Sequence, residues 1–275
     1  MLAAQRQKMI LSQVAERGAA RISELADSLD VSEMTVRRDL DSLADQGLIE
    51  KVHGGATSTN ATSPSSEPPF TAKSLREQAI KDAIGAEAAK LIRPGDAIGL
   101  MGGSSVYAMT RHILDIPRLT IVTNSIPVSD FLHKENRFEQ NVILTGGSRT
   151  PTDSLVGKIA TSVFGSLNLD LVFMGTHGMD PRSGFSSPNL LEAETNRSVR
   201  TKAQRLVILA DHTKWGQLGF ASFANFEDAD TLISDSALGS QAIDMLRSKI
   251  SRVILVEESI SGQSESLEAS ASSSR

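Results

Sequence analysis

Residues 21–56 read RISELADSLDVSEMTVRRDLDSLADQGLIEKVHGGA, and this stretch decides the fold of the N-terminal part of the chain. Its apolar residues fall on two helical stripes, Leu25, Ala26 and Leu29 and then Val36, Leu40 and Leu43. Ser23 and Ser32 stand where the N-caps of these two helices are expected. Asp30 and Val31 leave only a tight connection between the helices. Two short helices joined in this way are typical of a helix-turn-helix.

The sequence on either side of this pair completes a small domain. An upstream helix is predicted from an apolar face made of Ile10, Leu11 and Val14. Downstream, residues 48–52 form a short strand, and Gly54 and Gly55 permit a turn with positive φ. We therefore expect three helices and a β-hairpin, a winged helix-turn-helix domain, over residues 1–57.

The second helix of the pair turns a polar face outward. Once its apolar stripe is buried, the step of 100° per residue directs away from the core Met34, Arg38, Asp41 and Ser42. Arginines reach guanine edges or phosphates, and hydroxyls near a helix N-terminus donate to phosphates. With the hairpin as a wing, the candidate DNA-binding residues are Ser32, Met34, Thr35, Arg37, Arg38, Ser42, Lys51, His53 and Gly54.

An ordinary three-helix packing domain with a solvated arginine pair explains the same spacing. Residues 1–57 carry seven Lys or Arg and nine Asp or Glu, a net charge of −2, so no general basic field draws this block to DNA. Affinity for DNA would have to come from a few placed contacts, multiplied by dimerisation.

Composition bounds the function classes. The chain has 275 residues, 40% hydrophobic and 22% charged, which is enough to bury a core, and its formal net charge is −5. It has no cysteine, which excludes disulfides, thiol catalysis and Cys-ligated zinc. We see no signal peptide in the first residues and no apolar run of membrane-spanning length, and expect a soluble cytoplasmic protein.

Two segments lack the apolar residues that a packed domain needs. Residues 58–69 read STNATSPSSEPP, and the chain after Glu257 is rich in serine. We expect a linker over residues 58–70, an effector-binding domain over 71–257 and a disordered tail over 258–275.

The long block is predicted to be an α/β domain. Its apolar runs are Ala97–Met101, Leu119–Val122, Val142–Leu144, Leu169–Met174, Leu206–Ala210, Leu232–Ile233 and Val253–Val256. Most are separated by stretches with helical spacing. Near-continuous apolar strands that alternate with helices indicate a mostly parallel sheet covered on both faces.

Small and polar clusters follow five of these strands. They begin at Gly102, Thr123, Gly146, Gly175 and Asp211. Because ligands of open parallel sheets bind beyond the carboxyl ends of the strands, the clusters indicate a pocket for a phosphorylated, hydroxyl-rich molecule. For any single cluster, a plain strand-to-helix turn is the preferred explanation. His177 and His212 are candidates for acid–base groups or for simple hydrogen bonding, and we expect no metal and no cofactor.

The chain resembles the DeoR family of bacterial sugar-operon repressors over nearly its whole length. The N-terminal match consists of Val31-Ser32, Thr35, Arg37-Arg38-Asp39-Leu40, Gly47 and His53-Gly54-Gly55-Ala56. The C-terminal match consists of TNS at Thr123, TGG at Thr145, GTHGM at Gly175 and ADHTKW at Ala210. The resemblance implies a DNA-binding head and an effector domain related in fold to ribose-5-phosphate isomerase and glucosamine-6-phosphate deaminase.

The same resemblance implies sugar-phosphate sensing without turnover. By position, it implies an effector site made of Lys81, Gly103, Ser104, Ser105, Thr123, Asn124, Gly146, Gly147, Gly178, Glu192, Asp211 and Lys214. The chain departs from the family at Met101, where Asp is common, and at Ser104 and Ser105, where Thr is common. The loss of a carboxylate leaves one partner fewer for sugar hydroxyls.

We therefore expect a sequence-specific transcriptional regulator, a repressor of a carbohydrate catabolism or transport operon. A phosphorylated sugar would release it from double-stranded operator DNA, and half-sites imply at least a dimer. The alternative is a sugar-phosphate isomerase or deaminase with an accessory N-terminal domain. A kinase or NTPase is disfavoured because neither GxxxxGK[ST] nor GxGxxG occurs.

Overall fold

A computed structural model describes residues 3–17, 19–45, 48–52, 54–58, 70–75, 77–135, 137 and 139–257. The N-terminal body consists of α1 (Ala3–Arg17), β1 (Ala19–Arg21), α2 (Ile22–Leu29), α3 (Glu33–Asp45), β2 (Ile49–Val52) and β3 (Gly55–Ser58). The predicted helices and hairpin are present, which confirms the winged helix-turn-helix. The linker segment 59–69 and the tail 258–275 lie outside the described residues, as do Gly47 and His53.

The connection between α2 and α3 is as tight as the sequence indicates. Asp30 adopts a left-handed conformation with φ 51° and ψ 53°, and the Val31 amide donates to Ala26 O at 3.1 Å. Ser32 caps α3, since its Oγ accepts the Thr35 N–H at 3.2 Å. The predicted cap at Ser23 is wrong: α2 begins at Ile22, directly after β1.

Strand β1 was not predicted, and it turns the hairpin into a three-stranded antiparallel sheet of order β1-β3-β2. Of the two turn glycines, only Gly54 has a positive φ, 83°. Gly55 instead allows close strand contact, because a Cβ there would lie 2.3 Å from Ala20 O. Sequence periodicity does not reveal β1, since three residues with no apolar alternation carry no strand signal.

The core of the N-terminal body joins all three helices to the sheet. The predicted stripes are buried, and the core residues are Ile10, Val14, Ala20, Leu25, Ala26, Leu29, Val36, Leu40, Leu43, Leu48, Ile49 and Ala56. Because α3 gives this core only one stripe, its opposite face remains available to solvent.

The larger body alternates strands and helices. Its helices are α4 (Phe70–Leu75), α5 (Gln78–Ala89), α6 (Ser104–Met109), α7 (Ile126–Glu135), α8 (Lys158–Gly165), α9 (Leu190–Arg200) and α10 (Ser240–Lys249). Its strands are β4 (Ala97–Leu100), β5 (Thr120–Thr123), β6 (Asn141–Leu144), β7 (Ser148–Arg149), β8 (Leu155–Val156), β9 (Leu169–Gly175), β10 (Gly178–Asp180), β11 (Gly184–Ser187), β12 (Ala203–Leu209), β13 (Ala221–Ala224), β14 (Thr231–Asp235) and β15 (Arg252–Val256).

Seven of these strands form one parallel sheet of order β15-β14-β12-β9-β4-β5-β6, which confirms the seven predicted strands. Successive residues of β9 face opposite sides: Leu171 and Phe173 pack with α5, α6 and α7, whereas Val172 and Met174 pack with α8, α9 and α10. Both faces are therefore buried, and this is why the strands read as continuous apolar runs.

The strand order reverses between β4 and β9. The chain builds outward from β4 through β5 and β6 and then returns to β9, on the other side of β4. Such a reversal opens a crevice at the carboxyl ends of the two strands. A separate three-stranded sheet, β10-β11-β13, follows β9 in sequence. No helix in the described part of the chain is long and apolar enough to cross a membrane.

The division of α3 into a buried and an outward face can be tested with two variants of the same helix. Leu40→Ala, at 1% exposure, should lower the free energy of opening of α3 by about 2–5 kcal/mol because it leaves a cavity. Met34→Ala, at 57% exposure, should change it by less than about 0.5 kcal/mol. Hydrogen exchange of the α3 amides measures both values. Equal effects of the two substitutions would contradict the assigned faces.

Candidate DNA-binding surface and effector cleft

The outward face of α3 carries the candidate base-reading side chains. Met34, Arg37 and Arg38 are exposed, one to two turns after the Ser32 cap. Their length and exposure match what a recognition helix needs in a major groove.

Two cations of this surface are paired with carboxylates. Arg37 Nη2 lies 3.3 Å from Glu33 Oε2, four residues earlier on α3. Lys51 of β2 forms an ion pair with Asp41 of α3. The second pair ties the hairpin to the recognition helix, and both pairs place negative charge beside the groups that would meet phosphates.

The other candidates lie at the margins of this surface. At the start of α3, the hydroxyl groups of Ser32 and Thr35 are hydrogen-bonded to each other, with their oxygens 2.9 Å apart. Ser42 is half-buried. Gly54 is exposed at the hairpin turn, whereas His53 lies outside the described residues.

Asp39 has a role that the sequence did not reveal. It is buried on α3, and it forms an ion pair with Arg6 of α1. A second guanidinium nitrogen, Arg6 Nη2, donates to Asp39 Oδ1 at 3.2 Å. Asp39, next to the two exposed arginines, thus fixes α1 against α3. The sequence alone gives no signal for this role, because it does not show that Asp39 lies on the buried side of α3.

A cleft of about 470 Å³, open to solvent, lies where the strand order of the larger sheet reverses. The cleft is lined by Lys73, Gly102, Gly103, Ser104, Ser105, Gly175, Thr176, His177, Ser186, Ser187, Glu192, Asn196, Lys214 and Phe223.

Glycine backbone forms the floor of this cleft. Gly103 has φ 151° and ψ 148°, a conformation open essentially only to glycine, and a Cβ on it would lie 3.6 Å from Gly175 Cα. The neighbouring Gly102 N–H donates to Asn124 Oδ1 at 2.9 Å, and Asn124 Nδ2 donates to Leu155 O at 3.0 Å. Asn124 therefore holds the loop after β4 rather than lining the cleft.

A carboxylate is held rigidly on one wall. Glu192 Oε1 accepts hydrogen bonds from Thr150 Oγ1 at 2.9 Å and Thr152 Oγ1 at 2.5 Å, and its Oε2 accepts one from Ser187 Oγ at 3.3 Å. The Asn189 side chain caps α9 by accepting from the Glu192 amide. Since a carboxylate offers about four acceptor positions, Glu192 retains acceptor capacity for a ligand hydroxyl.

The cations of the cleft are Lys73 from α4 and Lys214 from the loop after β12. Burial, reinforced by the charges of Lys73 and Lys214, lowers the pKa of His177 from 6.5 to about 4. His177 is therefore neutral at pH 7. The contribution of Lys73 and Lys214 to this shift shows that their positive charges act on the cleft.

Lys81 and Asp211 are buried and do not line the cleft. Burial, with the charges of Lys214 and Lys73, lowers the pKa of Lys81 to about 8, whereas Asp211 opposes that change. Burial alone would raise the pKa of Asp211, but Lys214, Lys81 and the hydrogen bonds from Thr213 lower it. Lys81 and Asp211 thus form a charged support beneath Lys214.

The structure brings some predicted effector residues into the cleft and not others. Lining it are Gly103, Ser104, Ser105, Glu192 and Lys214. The remaining predicted residues lie elsewhere: Lys81, Thr123, Asn124, Gly146, Gly147, Gly178 and Asp211.

Most of these other residues have local structural roles. Thr123 Oγ1 donates to Leu100 O at 2.6 Å, which links β5 to β4. A Cβ on Gly147 would lie 2.5 Å from Val156 O, and one on Gly178 would lie 2.2 Å from Gln217 O. Met101 is buried in the core against α8 and α9, so it presents no group to the cleft.

Other lining residues were not among those that the family resemblance implied. Thr176 and His177 belong to the cluster that begins at Gly175, which was predicted to contribute to the pocket. Ser186, Ser187 and Phe223 belong to the small sheet, which was not predicted, and Lys73 follows the linker with no motif around it. Among the described residues, no group of three His, Cys, Asp or Glu could hold a metal ion.

Comparison with protein families identifies both bodies. Residues 6–62 match the sequence profile of the DeoR-like helix-turn-helix domain, and residues 76–236 match that of the DeoR C terminal sensor domain.

Three curated relatives are similar to the chain over most of its length. The HTH-type transcriptional regulator GlpR of Haloferax volcanii is 33% identical over 249 residues, which cover 90% of this chain and 96% of the relative. The HTH-type transcriptional regulator GolR of Listeria innocua is 32% identical, with 85% and 91% covered. The lactose phosphotransferase system repressor of Staphylococcus aureus is 32% identical, with 81% and 88% covered.

Solved structures show weaker similarity. Ribose 5-phosphate isomerase A of Methanocaldococcus jannaschii aligns with 51% of this chain and 55% of its own, at 16% identity and a TM-score of 0.38. Translation initiation factor eIF-2B of Pyrococcus horikoshii aligns with 80% and 76%, at 14% identity and a TM-score of 0.38.

The cationic character of the cleft predicts the titration of His177. In the ligand-free protein, NMR should give its imidazole a pKa of about 4, and Lys73→Met should raise that pKa while leaving it below 6.5, because burial is the largest cause. The unfolded chain takes up this proton near pH 6.5, so the stability contributed is present above that pH and lost as the pH falls to about 4. Lys134→Met, an exposed change on α7, is the control and should leave the His177 pKa unchanged. A wild-type pKa near 6.5 would contradict the burial of His177, and an unchanged pKa in Lys73→Met would show that the charge of Lys73 does not act on the cleft.

Proposed function

Because the chain belongs to the DeoR family of helix-turn-helix transcriptional regulators, we propose that it represses a carbohydrate catabolism or transport operon and that a phosphorylated sugar releases it from the operator. In this proposal residues 1–57 bind the operator, residues 58–70 link the two domains and residues 71–257 bind the effector. The observation that carries the effector assignment is the cleft at the ends of β4 and β9, with Lys73 and Lys214 as its cations and Glu192 held by hydroxyls.

On the DNA side, α3 enters the major groove with Arg37 and Arg38 toward base edges and phosphates, and the hairpin follows the backbone with Lys51. The exposure of these side chains supports this arrangement. Because Arg37 and Lys51 are each paired with a carboxylate, one head binds weakly, and two half-sites read by a dimer or larger homo-oligomer supply the affinity.

On the effector side, the glycine floor lets a ligand approach the backbone closely, and the lysines match an oxyanion. Glu192, together with the hydroxyls of Ser104 and Ser105, matches the hydroxyl groups of a sugar. In the proposed role, the protein binds the sugar phosphate without converting it. It acts on DNA in the cytoplasm. Release requires the effector to bind the free form more tightly than the operator-bound form, and a tenfold release corresponds to about 1.4 kcal/mol.

The DNA assignment predicts the effect of removing one exposed arginine. Arg38→Ala should weaken binding to DNA from upstream of the protein's own gene by about 1–3 kcal/mol, roughly five- to 150-fold, without lowering Tm. Arg182→Ala, an exposed change after β10, is the matched control and should bind as the wild type does. Gel-shift titration at low ionic strength measures both. Wild-type affinity in Arg38→Ala would exclude α3 as the reading element.

The effector assignment predicts release by one member of a panel of phosphorylated sugars added to the bound complex. That sugar should be recovered unchanged, and its unphosphorylated form should not act. Lys214→Met should keep operator binding but require at least about tenfold more sugar phosphate for release, because a charge-assisted contact is lost. Conversion of the sugar by the protein would instead favour an isomerase or deaminase.

A further inference from the structure

Helix α4 stands at the point where the α/β body meets the connection to the DNA-binding head. It covers Phe70–Leu75, and residues 59–69, which precede it, join the two bodies covalently. The position of α4 therefore fixes where the connection leaves the α/β body.

Among the described residues, two of the contacts between α4 and that body are specific side-chain interactions. The Phe70 ring meets the Tyr107 ring edge-on, with centroids 5.3 Å apart and planes at 88°, and Tyr107 in turn meets Phe131. Lys81 Nζ donates to the Lys73 carbonyl oxygen at 2.7 Å. Since Lys81 is only 3% exposed, this hydrogen bond engages a buried ammonium group that has lost most of its water.

The side chain of Lys73 lines the cleft, together with Lys214. Its charge lowers the pKa of both His177 and Lys81, in each case after the larger effect of burial. At Lys81, the charges of Lys73 and Lys214 are opposed by those of Asp211 and Glu77. An anion in the cleft lies within the space that both Lys73 and Lys214 line.

We propose that Lys73 is an effector-binding residue: it and Lys214 share the anionic group of the ligand, and this shared anion fixes α4 on the α/β body. Lys81 is the positioning residue, which holds the Lys73 backbone so that its side chain reaches the cleft. The inference rests on the proposed function, since it assigns the same cleft a phosphorylated ligand. It adds the route by which occupancy of the cleft reaches the connection to the DNA-binding head.

Inorganic phosphate, added to the full chain, is the probe. The His177 imidazole signals report occupancy of the cleft, and hydrogen exchange of the amides of residues 70–75 reports the docking of α4. In the wild type, phosphate should shift the His177 signals and slow exchange in α4. Lys73→Met should weaken phosphate binding about tenfold and abolish the slowing at a phosphate concentration that saturates the variant. Lys73→Arg should restore the slowing, and Lys134→Met should behave as the wild type.

Lys81→Met separates positioning from contact. Without phosphate it should speed exchange in α4 at least threefold, whereas Lys73→Met should not, because it retains the backbone carbonyl that Lys81 binds. Unchanged exchange in Lys81→Met, with the α/β signals intact, overturns the positioning role.

The remaining outcomes distinguish this inference from the proposed function. If phosphate leaves the wild-type His177 signals unmoved, both fail, since the cleft then takes no phosphate. If the wild type responds but Lys73→Met binds phosphate equally well or still slows exchange in α4, only the role of Lys73 fails.

Discussion

The burial of both faces of the seven-stranded parallel sheet constrains the rest of the α/β body. Leu171 and Phe173 need helices on one side and Val172 and Met174 need them on the other, so a ligand is excluded from either face. Only the strand ends are left, and only between β4 and β9 do the outgoing connections diverge. Backbone at Gly103 and Gly175 meets there without side chains between, which leaves a floor of peptide groups rather than a filled core.

Elements with a strong periodicity of apolar residues could be predicted from the sequence, whereas elements without such a periodicity were missed. The stripe at Val36, Leu40 and Leu43 and the seven apolar strands could be predicted because each buries a repeated face. The small sheet β10-β11-β13 could not, since its strands are only three or four residues long and rich in Gly, Ser and Ala. Cleft residues that follow predicted strands, such as Ser104 and Lys214, could therefore be found, whereas Ser186 and Lys73 depend on packing between distant segments.

Charge is used differently in the two bodies. On the candidate DNA-binding surface, Glu33 pairs with Arg37 and Asp41 pairs with Lys51. In the proposed complex, each of these cations exchanges its carboxylate for a phosphate when DNA binds. That exchange reduces the binding free energy gained from any phosphate contact. The loss of a contact to a guanine edge still costs its full binding free energy. Such pairing therefore favours specificity over general affinity. In the cleft, the charges of Lys73 and Lys214 both act on His177 and Lys81, and in the proposed function the ligand adds negative charge there.

Affinity for an effector and the ability to release DNA need not reside in the same residues. A contact of equal strength in two conformations shifts no equilibrium, however strong it is. Lys214 belongs to the α/β body, and its position does not depend on the docking of α4. Its proposed contact with the effector therefore contributes chiefly to affinity. In the proposed arrangement, Lys73 contacts the ligand only while α4 is docked, so the energy of this contact enters the coupling. The tenfold loss of phosphate affinity expected for Lys73→Met corresponds to about 1.4 kcal/mol, which equals the differential binding that a tenfold release requires. In the proposed arrangement, a single lysine on the connecting helix is therefore sufficient to couple the cleft to the DNA-binding head.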